Sequence, residues 1–302
     1  MLPRICALTS SIIDQGSRRW LTCWLCALGV LALNGCSMVQ TVYNRSPDLA
    51  YWWIDGFVDI SAEQRPQVAE SLQRYQDWHR STQLPRYAQW LQQLQAWVLT
   101  DVTEAQSCKL YGEIWDSLPV LAETAEAGTS RLARTLSSEQ VEHLRGKLER
   151  HHRDWRKDWV EDGAAENLDK RVKRARERAE DFYGRLEPAQ QRLLRQQAER
   201  SPYDIGMAEA IRLRRQEDIV STLKQLQRQP PGTEEFRLQI RGLLQRSVNS
   251  PVPAQQAYVT RLNDFNCRAI AQLHNSTSAE QRQAALKRLQ KYERDVKALM
   301  TP

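Results

Sequence analysis

Apolar residues recur at every third or fourth position along most of the chain, which is the spacing of one face of a helix. No alternating run of apolar and polar residues is long enough to predict a strand. Proline and glycine interrupt the pattern repeatedly, and about eight helices are expected between the interruptions. The two longest apolar series are Val141, Leu144, Leu148, His152, Trp155 and Trp159, and then Leu168, Val172, Ala175, Ala179, Phe182 and Leu186.

This pattern predicts an all-α fold, an elongated or curved assembly of packed antiparallel helical hairpins without a sheet. Residues 49–302 are assigned to a single helical domain. Between the two long series the helical spacing breaks at Asp162-Gly163, where a turn or a kink is predicted.

The first 36 residues follow a different pattern. Two arginines precede an apolar run over residues 20–33, which is too short to cross a bilayer as a helix but suits the core of a signal peptide. The run ends in Leu33-Asn34-Gly35-Cys36, the lipobox pattern of bacterial lipoproteins. We therefore expect a signal peptide over 1–35 that is cleaved before Cys36, lipidation of Cys36, and a lipidated tether over 36–48. The alternative is an ordinary signal peptide or a short membrane anchor.

The residue after the expected lipidation site is Ser37 rather than Asp, which by analogy with enterobacterial sorting favours the outer membrane over the inner membrane. The three acyl chains of a mature bacterial lipoprotein give stable anchoring, whereas one chain does not. The protein is then expected on the periplasmic face. Its expected partners are the membrane, through the N-terminal lipid, and envelope proteins or unfolded client proteins, but no nucleic acid.

An aromatic stretch follows the expected tether and contains Tyr51, Trp52, Trp53, Ile54 and Phe57. Two interpretations of this stretch are open. Packing in the core is favoured, because buried aromatic residues supply much of the core of a small domain. Contact with the membrane interface, where Trp and Tyr are enriched, is the alternative.

A short motif returns along the chain: an apolar residue, then in most copies Ser or Thr, then Gln three residues later. Glu187 takes the place of the Ser or Thr in one copy, and Thr277 that of the apolar residue in another. This spacing is that of a capping box at a helix N-terminus, in which the hydroxyl accepts from the N3 amide and the Gln side chain accepts from the N-cap amide. The motif either only caps helices or forms an interaction surface, and the sequence leaves both open. The copies contain Ile60, Ser61 and Gln64; Thr103 and Gln106; Leu136, Ser137 and Gln140; Leu186 and Gln190; and Ser278 and Gln281, with a looser copy over residues 252–256.

The motif resembles the Leu-Thr-x-x-Gln motif of the Spy/CpxP-type periplasmic chaperones and stress sensors, which are small, helical and often dimeric. Over most of the mature chain, the sequence is similar to a proteobacterial family of uncharacterised lipoproteins of about this length. That second resemblance implies a fold and a location but no activity. It rests on the lipobox, Tyr43-Asn44-Arg45, the aromatic stretch, residues 60–64 leading to Trp78-His79-Arg80, Leu84-Pro85-Arg86-Tyr87, and residues 186–190 leading to residues 199–203.

Six cysteines are present, of which Cys6, Cys23 and Cys26 lie in the segment expected to be removed. Cys108 and Cys267 are left as an even pair in an oxidising compartment. One disulfide and two buried free thiols are both compatible with the sequence.

The chain carries a net charge of +6, and one dense basic run stands out. A solvated helix face, with long side chains lying over an apolar seam, is the favoured interpretation. The alternative is attraction to lipid headgroups, lipopolysaccharide phosphates or acidic stretches of client proteins. The run consists of Lys170, Arg171, Lys173, Arg174, Arg176 and Arg178.

No sequence motif of a hydrolase, a nucleotide-binding loop or a metalloprotease is present. No catalytic residue, metal site or cofactor is predicted, and the chain is expected not to be an enzyme. Two functions are considered: a chaperone-like or envelope-stress-related protein that binds other proteins, and an assembly scaffold that binds one specific envelope partner. A cell-wall enzyme is the least favoured interpretation.

Overall fold

The computed structural model describes residues 38–228 and 232–300, so the predicted signal peptide and Cys36 lie outside the described residues. The described part is helical without any strand, which confirms the all-α prediction. It contains fourteen α-helices rather than about eight, because several are too short to show helical periodicity. The helices are α1 (Met38–Asn44), α2 (Ser46–Val58), α3 (Arg65–Trp78), α4 (Leu84–Trp97), α5 (Glu104–Trp115), α6 (Leu118–Thr124), α7 (Glu126–Thr135), α8 (Ser138–Arg156), α9 (Gly163–Tyr183), α10 (Pro188–Arg200), α11 (Ile205–Arg228), α12 (Thr233–Val248), α13 (Pro253–Asn275) and α14 (Ala279–Met300), with π-helical turns at His79–Gln83 and Lys157–Glu161.

The most extensive helix pairs join distant parts of the chain. Helix α4 packs along α14, α5 along α13, and α8 along α11. Consecutive helices also pair, as α2 does with α3 and α9 with α10. Within the described ranges no helix is both long enough and apolar enough to cross a bilayer.

The two largest buried clusters of the described residues each join several helices. Helices α7, α8, α11 and α12 meet around Val141 and Ile240, and helices α4, α9 and α14 meet around Leu289. All three side chains are at most 2% exposed. Of the Val141–Trp159 series, only the members up to Leu148 reach the first cluster, so the later members are free to line another surface.

The predicted break after the first long series is present. Gly163 has a φ of 84°, a left-handed conformation that glycine adopts without steric cost. Carbonyl groups of the π-helical turn before it are bonded by side chains of α9: Asn167 Nδ2 donates to Trp159 O at 2.9 Å, and Lys170 Nζ donates to Asp158 O at 2.8 Å. These bonds hold the turn and the start of α9 in a fixed geometry.

The segment assigned to a tether is helical from Met38, and α1 packs on α14. The Tyr43 hydroxyl lies 3.0 Å from His79 Nδ1, and Gln76 Nε2 donates to the Tyr43 carbonyl at 2.7 Å. Arg80 also donates to the Asn44 side chain at 3.1 Å. The first described helix is therefore docked on the body of the protein instead of being a free linker.

The core-packing interpretation of the aromatic stretch is wrong for Trp52 and Trp53, which are each 66% exposed. Phe57 does pack against the first cluster and stacks on His151, with 4.9 Å between ring centroids. Helix α2 packs on α3 and α8, and these partners decide which of its apolar residues are covered. The two tryptophans lie on the uncovered face.

Cys108 in α5 and Cys267 in α13 form a disulfide that joins residues 159 positions apart in the sequence. The Ser107 hydroxyl donates to the Cys267 carbonyl at 2.6 Å beside it. The bond links two helices that already pack against each other, so it reinforces one of the long-range helix pairs.

His274 is buried next to this pair and is expected to make the fold sensitive to acid. Its Nε2 lies 2.8 Å from the Thr100 carbonyl, and its Nδ1 lies 3.0 Å from the hydroxyl of Tyr183, whose pKa burial raises to about 12. Burial also lowers the pKa of His274 below 6.5, so the unfolded chain binds a proton at a pH where the folded chain does not. The free energy of unfolding should therefore fall as the pH drops through about 6.5.

The check is thermal unfolding of the parent and of His274→Gln at neutral pH and at mildly acidic pH. We expect the melting temperature of the parent to fall further on acidification than that of the variant. Equal losses would mean that other groups carry the acid sensitivity, such as His79, whose pKa is also lowered by burial.

Candidate functional site

Four copies of the glutamine motif meet in two pairs inside the protein. In the first pair, Gln64 Nε2 donates to the Thr135 carbonyl at 2.8 Å, and Gln140 Nε2 donates to the Asp59 carbonyl at 2.7 Å. The two side chains also bond each other, with Nε2 to Oε1 distances of 3.1 and 2.8 Å. Each acceptor carbonyl belongs to the residue just before the partner motif.

The second pair repeats this geometry. Gln190 Nε2 donates to the Ser276 carbonyl and Gln281 Nε2 to the Arg185 carbonyl, both at 2.9 Å. In all four copies the glutamine Oε1 also accepts from the N-cap amide of its own motif at 2.9 Å. Gln190 is 2% exposed and Gln281 is 8% exposed, so these side chains serve the interior. The apolar residues Ile60 and Leu186 are buried with them, and Leu136 packs against the first core cluster.

The fifth copy behaves differently. Thr103 and Gln106 form a complete capping box on α5 without a glutamine partner. Instead, Asn275 bonds both backbone groups of Val102, accepting from its amide and donating to its carbonyl, each at 2.9 Å. The motif caps α5, α8, α10 and α14, whereas in the first copy Ser61 and Gln64 make the same two bonds in the turn before α3 begins at Arg65. Four of the copies also bond each other in pairs.

The basic run lies on α9, where its members separate by position. Lys170 pairs with Asp162, and Arg176 lies 4.0 Å from Glu180, so both have acidic partners. Lys173 and Arg178 are exposed. Arg171 and Arg174 instead line a concave surface together with residues from other helices.

This surface, here called the arginine–aromatic cleft, has a volume of about 770 Å³ and lies between α2, α8, α9 and α11. Four arginines and several aromatic rings face it. Two arginines come from α9 and two from α11, in each case three positions apart. The lining includes Arg171, Arg174, Arg212, Arg215, Trp53, Phe57, His151, Trp155, Trp159 and Tyr203.

Three of the arginines are held over aromatic rings. The guanidinium carbon of Arg174 lies 4.2 Å from the Trp159 ring centroid, and that of Arg171 lies 4.7 Å from the Tyr203 centroid. The guanidinium carbon of Arg212 lies 5.8 Å from the Trp155 ring centroid. Such contacts attract the cation to the ring face and restrict the side chain, so the charges are positioned before any ligand arrives.

The cleft has positive charge without matching acid. Within the described ranges, none of the four guanidinium groups forms an ion pair with Asp or Glu, whereas nearby Arg156 pairs with Glu209. The Nε atoms of Arg171 and Arg212 are buried without a hydrogen-bond partner. Burial also lowers the pKa of Arg171, because it disfavours the charged form. Arg171 and Arg212 each donate an Nη2 hydrogen bond to a backbone carbonyl, of Ala198 and of His151. An anion in the cleft would meet the other guanidinium nitrogens and gain charge-assisted hydrogen bonds to them.

A second, smaller cavity lies between α4, α5, α9 and α13. Its volume is about 210 Å³, and its lining is mostly apolar, with Trp97, Leu110 and Tyr111 among the larger side chains. The buried Tyr183–His274 hydrogen bond forms part of its wall. It lacks the convergent charges of the cleft.

The basic run identified in the sequence contains two of the four arginines that line the cleft. Arg171 and Arg174 belong to the basic run, but Arg212, Arg215 and Tyr203 were not predicted. The available signal was that α11 carries two arginines at the same spacing, three positions apart, as the pair on α9. Two adjacent histidines of α8 face different groups: His151 lines the cleft, while His152 Nε2 lies 3.2 Å from a carboxylate oxygen of Glu209. Across the described residues, no three His, Cys, Asp or Glu side chains are grouped closely enough to hold a metal ion.

Comparison with known sequences gives one match, to the family described as "Family of unknown function (DUF6279)", over residues 56–250. The matched region contains all of the cleft lining except Trp53. No curated protein and no solved structure matches the chain.

Proposed function

Since this chain belongs to DUF6279, a family of unknown function, we propose a function from its cleft: a non-enzymatic, chaperone-like protein that binds polypeptide segments. It is anchored by a lipid on Cys36 in the outer membrane and faces the periplasm, where it serves envelope proteins under normal or stress conditions. The single observation that supports this proposal most strongly is the arginine–aromatic cleft, with four guanidinium groups that have no acidic partner among the described residues.

The chemistry of the cleft favours a polypeptide ligand that carries both carboxylate and apolar side chains. Trp, Tyr and Arg are the residue types that dominate the binding energy of protein interfaces. Here the aromatic rings offer apolar contact, while the four guanidinium groups offer positive charge and N–H donors at the same surface. A segment of alternating acidic and apolar residues satisfies both.

A second candidate function is a scaffold that binds one specific partner. The observation in its favour is that the guanidinium groups are fixed over aromatic rings, since a pre-positioned site selects a defined ligand. A promiscuous binder usually offers flexible, adaptable side chains instead.

The test uses the processed lipoprotein and a fluorescent peptide of alternating acidic and aromatic residues. We expect the double charge reversal Arg171→Glu and Arg212→Glu to weaken binding about 100-fold or more, because it removes two charge-assisted contacts and adds repulsion. The matched control is Lys173→Glu with Arg178→Glu, which changes the net charge equally at exposed positions of α9. Fluorescence anisotropy at two salt concentrations measures both.

Two further measurements separate the candidate functions. Suppression of aggregation of two unrelated client proteins, lost in the cleft variant and kept in the control, would support chaperone-like binding. Suppression of neither, together with crosslinking in cells to one partner through the cleft, would support a scaffold. Equal peptide binding by the cleft variant and the control would reject the cleft as the binding site.

A further inference from the structure

An exposed apolar stripe runs along the first two helices. Helices α1 and α2 are nearly continuous, because the amides of Arg45 and Leu49 donate to the carbonyls four residues earlier. Val42, Leu49, Trp52 and Trp53 follow the 3,4 spacing and are between 45% and 66% exposed. The opposite side of α2 is covered by α3 and α8. We call these four residues the tryptophan face.

The tryptophan face lies close to the expected lipid. Only Ser37 separates Cys36 from Met38, the start of α1, and two residues of chain span about 7 Å at most. Because α1 is docked on α14 and on the π-helical turn at His79–Gln83, the body cannot swing freely away from that point. This step rests on the lipidation of Cys36 in the proposed function.

We propose that the tryptophan face lies in the headgroup layer of the bilayer, with the axis of α1 and α2 along the membrane surface. Amphipathic helices adopt this position with the apolar face buried at the boundary of the acyl chains. Tryptophan is favoured at this depth because its ring is apolar and its indole N–H bonds polar groups. Arg45, whose side chain is 74% exposed and lies 3.8 Å from the also exposed carboxylate of Asp48, is placed to exchange that partner for lipid phosphates.

The orientation also places the arginine–aromatic cleft. Trp53 belongs to the tryptophan face and at the same time lines the cleft, and Phe57, one turn later on α2, lines it too. The cleft therefore opens beside the membrane surface and not on the far side of the protein. A ligand that enters it comes from the water layer next to the lipid headgroups.

The experiment uses the processed lipoprotein in vesicles of phosphatidylethanolamine and phosphatidylglycerol that contain lipid brominated near the headgroup end of the acyl chain. Bromine quenches tryptophan only at short range. We expect quenching of the parent to fall by roughly half or more in Trp52→Ala with Trp53→Ala, because the proposal places these two rings in the interface. The control is Trp115→Ala, since Trp115 is 41% exposed but lies on α5.

A folding defect of the variants can be distinguished from a loss of membrane contact. Trp52 is 66% exposed, and among the described residues the ring contacts of α2 involve its neighbours Trp53 and Tyr51 instead. The single variant Trp52→Ala should therefore keep the parent's circular dichroism spectrum and still lose part of the quenching. If quenching of acylated protein is the same in the parent and in both tryptophan variants, the orientation is wrong while the lipid anchor stands. Protection of Trp52 in a concentration-dependent dimer, without lipid quenching, would assign the face to a second copy and also overturn it.

Acylation is measured in the same samples with labelled palmitate, using Cys36→Ser as the unlabelled reference. Label on the parent and not on Cys36→Ser supports the premise of the inference. A parent without label would overturn the lipid anchor of the proposed function and the orientation with it, whereas peptide binding by the cleft would be judged separately.

Discussion

Loss of the Cys108–Cys267 disulfide is expected to lower the free energy of unfolding by about 2–5 kcal/mol. The bond closes a loop between residues 159 positions apart, and a cross-link over so long a loop removes much of the conformational freedom of the unfolded chain. It also fixes α5 against α13, a helix pair that the chain must otherwise form by long-range search. Urea unfolding of the parent, with and without a reductant, measures the difference.

The double variant Cys108→Ala with Cys267→Ala separates the bond from the reagent. We expect its urea midpoint to lie slightly below that of the reduced parent. The small extra loss of stability arises because Cys267 is 2% exposed and Ala leaves a cavity in its place. Coinciding transitions of the oxidised and reduced parent would show that the bond adds nothing to stability.

Replacement of Gln190 by Ala is expected to lower the free energy of unfolding by about 3–5 kcal/mol, well above the roughly 0.5–2 kcal/mol of a lost helix cap. The side chain bonds the Glu187 amide, the Ser276 carbonyl and Gln281, and it is 2% exposed. Its removal leaves buried groups without partners, and each such group costs about 1–3 kcal/mol.

The other motif copies give a graded control. Gln106→Ala removes a cap alone and should cost least, and Gln140→Ala removes a half-buried pair member and should lie in between. A double-mutant cycle of Gln190→Ala and Gln281→Ala should give a coupling energy of about 1 kcal/mol or more, since the two side chains bond each other. If the three single variants cost the same, the motif would act only as a cap.

The capping role of the motif was predictable, but its pairing was not. A capping box is local, because Ser137 and Gln140 meet within one helical turn whatever the rest of the chain does. The second bond of each glutamine, from Nε2 to a carbonyl of a distant segment, depends on which helix starts the fold brings together. Which helix starts meet is determined by tertiary packing, and the local motif does not encode it.

The same distinction between local and long-range contacts applies to the arginines of the cleft, which lie on α9 and on α11. A dense basic run on one helix is visible in the sequence, and Arg171 and Arg174 were among its members. Arg176 has its acidic partner four residues later on the same helix, Glu180, and such a local pair is also visible in the sequence. That Arg212 and Arg215 face the same space depends on how α11 crosses α8, which is a property of the packed fold.

The aromatic stretch shows why exposure was hard to predict. Its residues are apolar on more than one side of α2, so periodicity does not define a single buried face. The packing of α3 and α8 covers Val58 and most of Phe57, and it leaves Trp52 in solvent. Only the partner helices decide which aromatic residues are buried.

The pairing of α4 with α14 has a consequence for the order in which the fold can be completed. If the chain is exported from its N-terminus as proposed, α4 reaches the periplasm before α14 does. The apolar face of α4 is then covered only when α14 has followed. The apolar face of α4 in a nascent chain therefore stays accessible to periplasmic proteases until α14 has also been translocated. A truncation just before Ala279 would leave every residue near the anchor intact and still remove the helix that packs on α1 and α4.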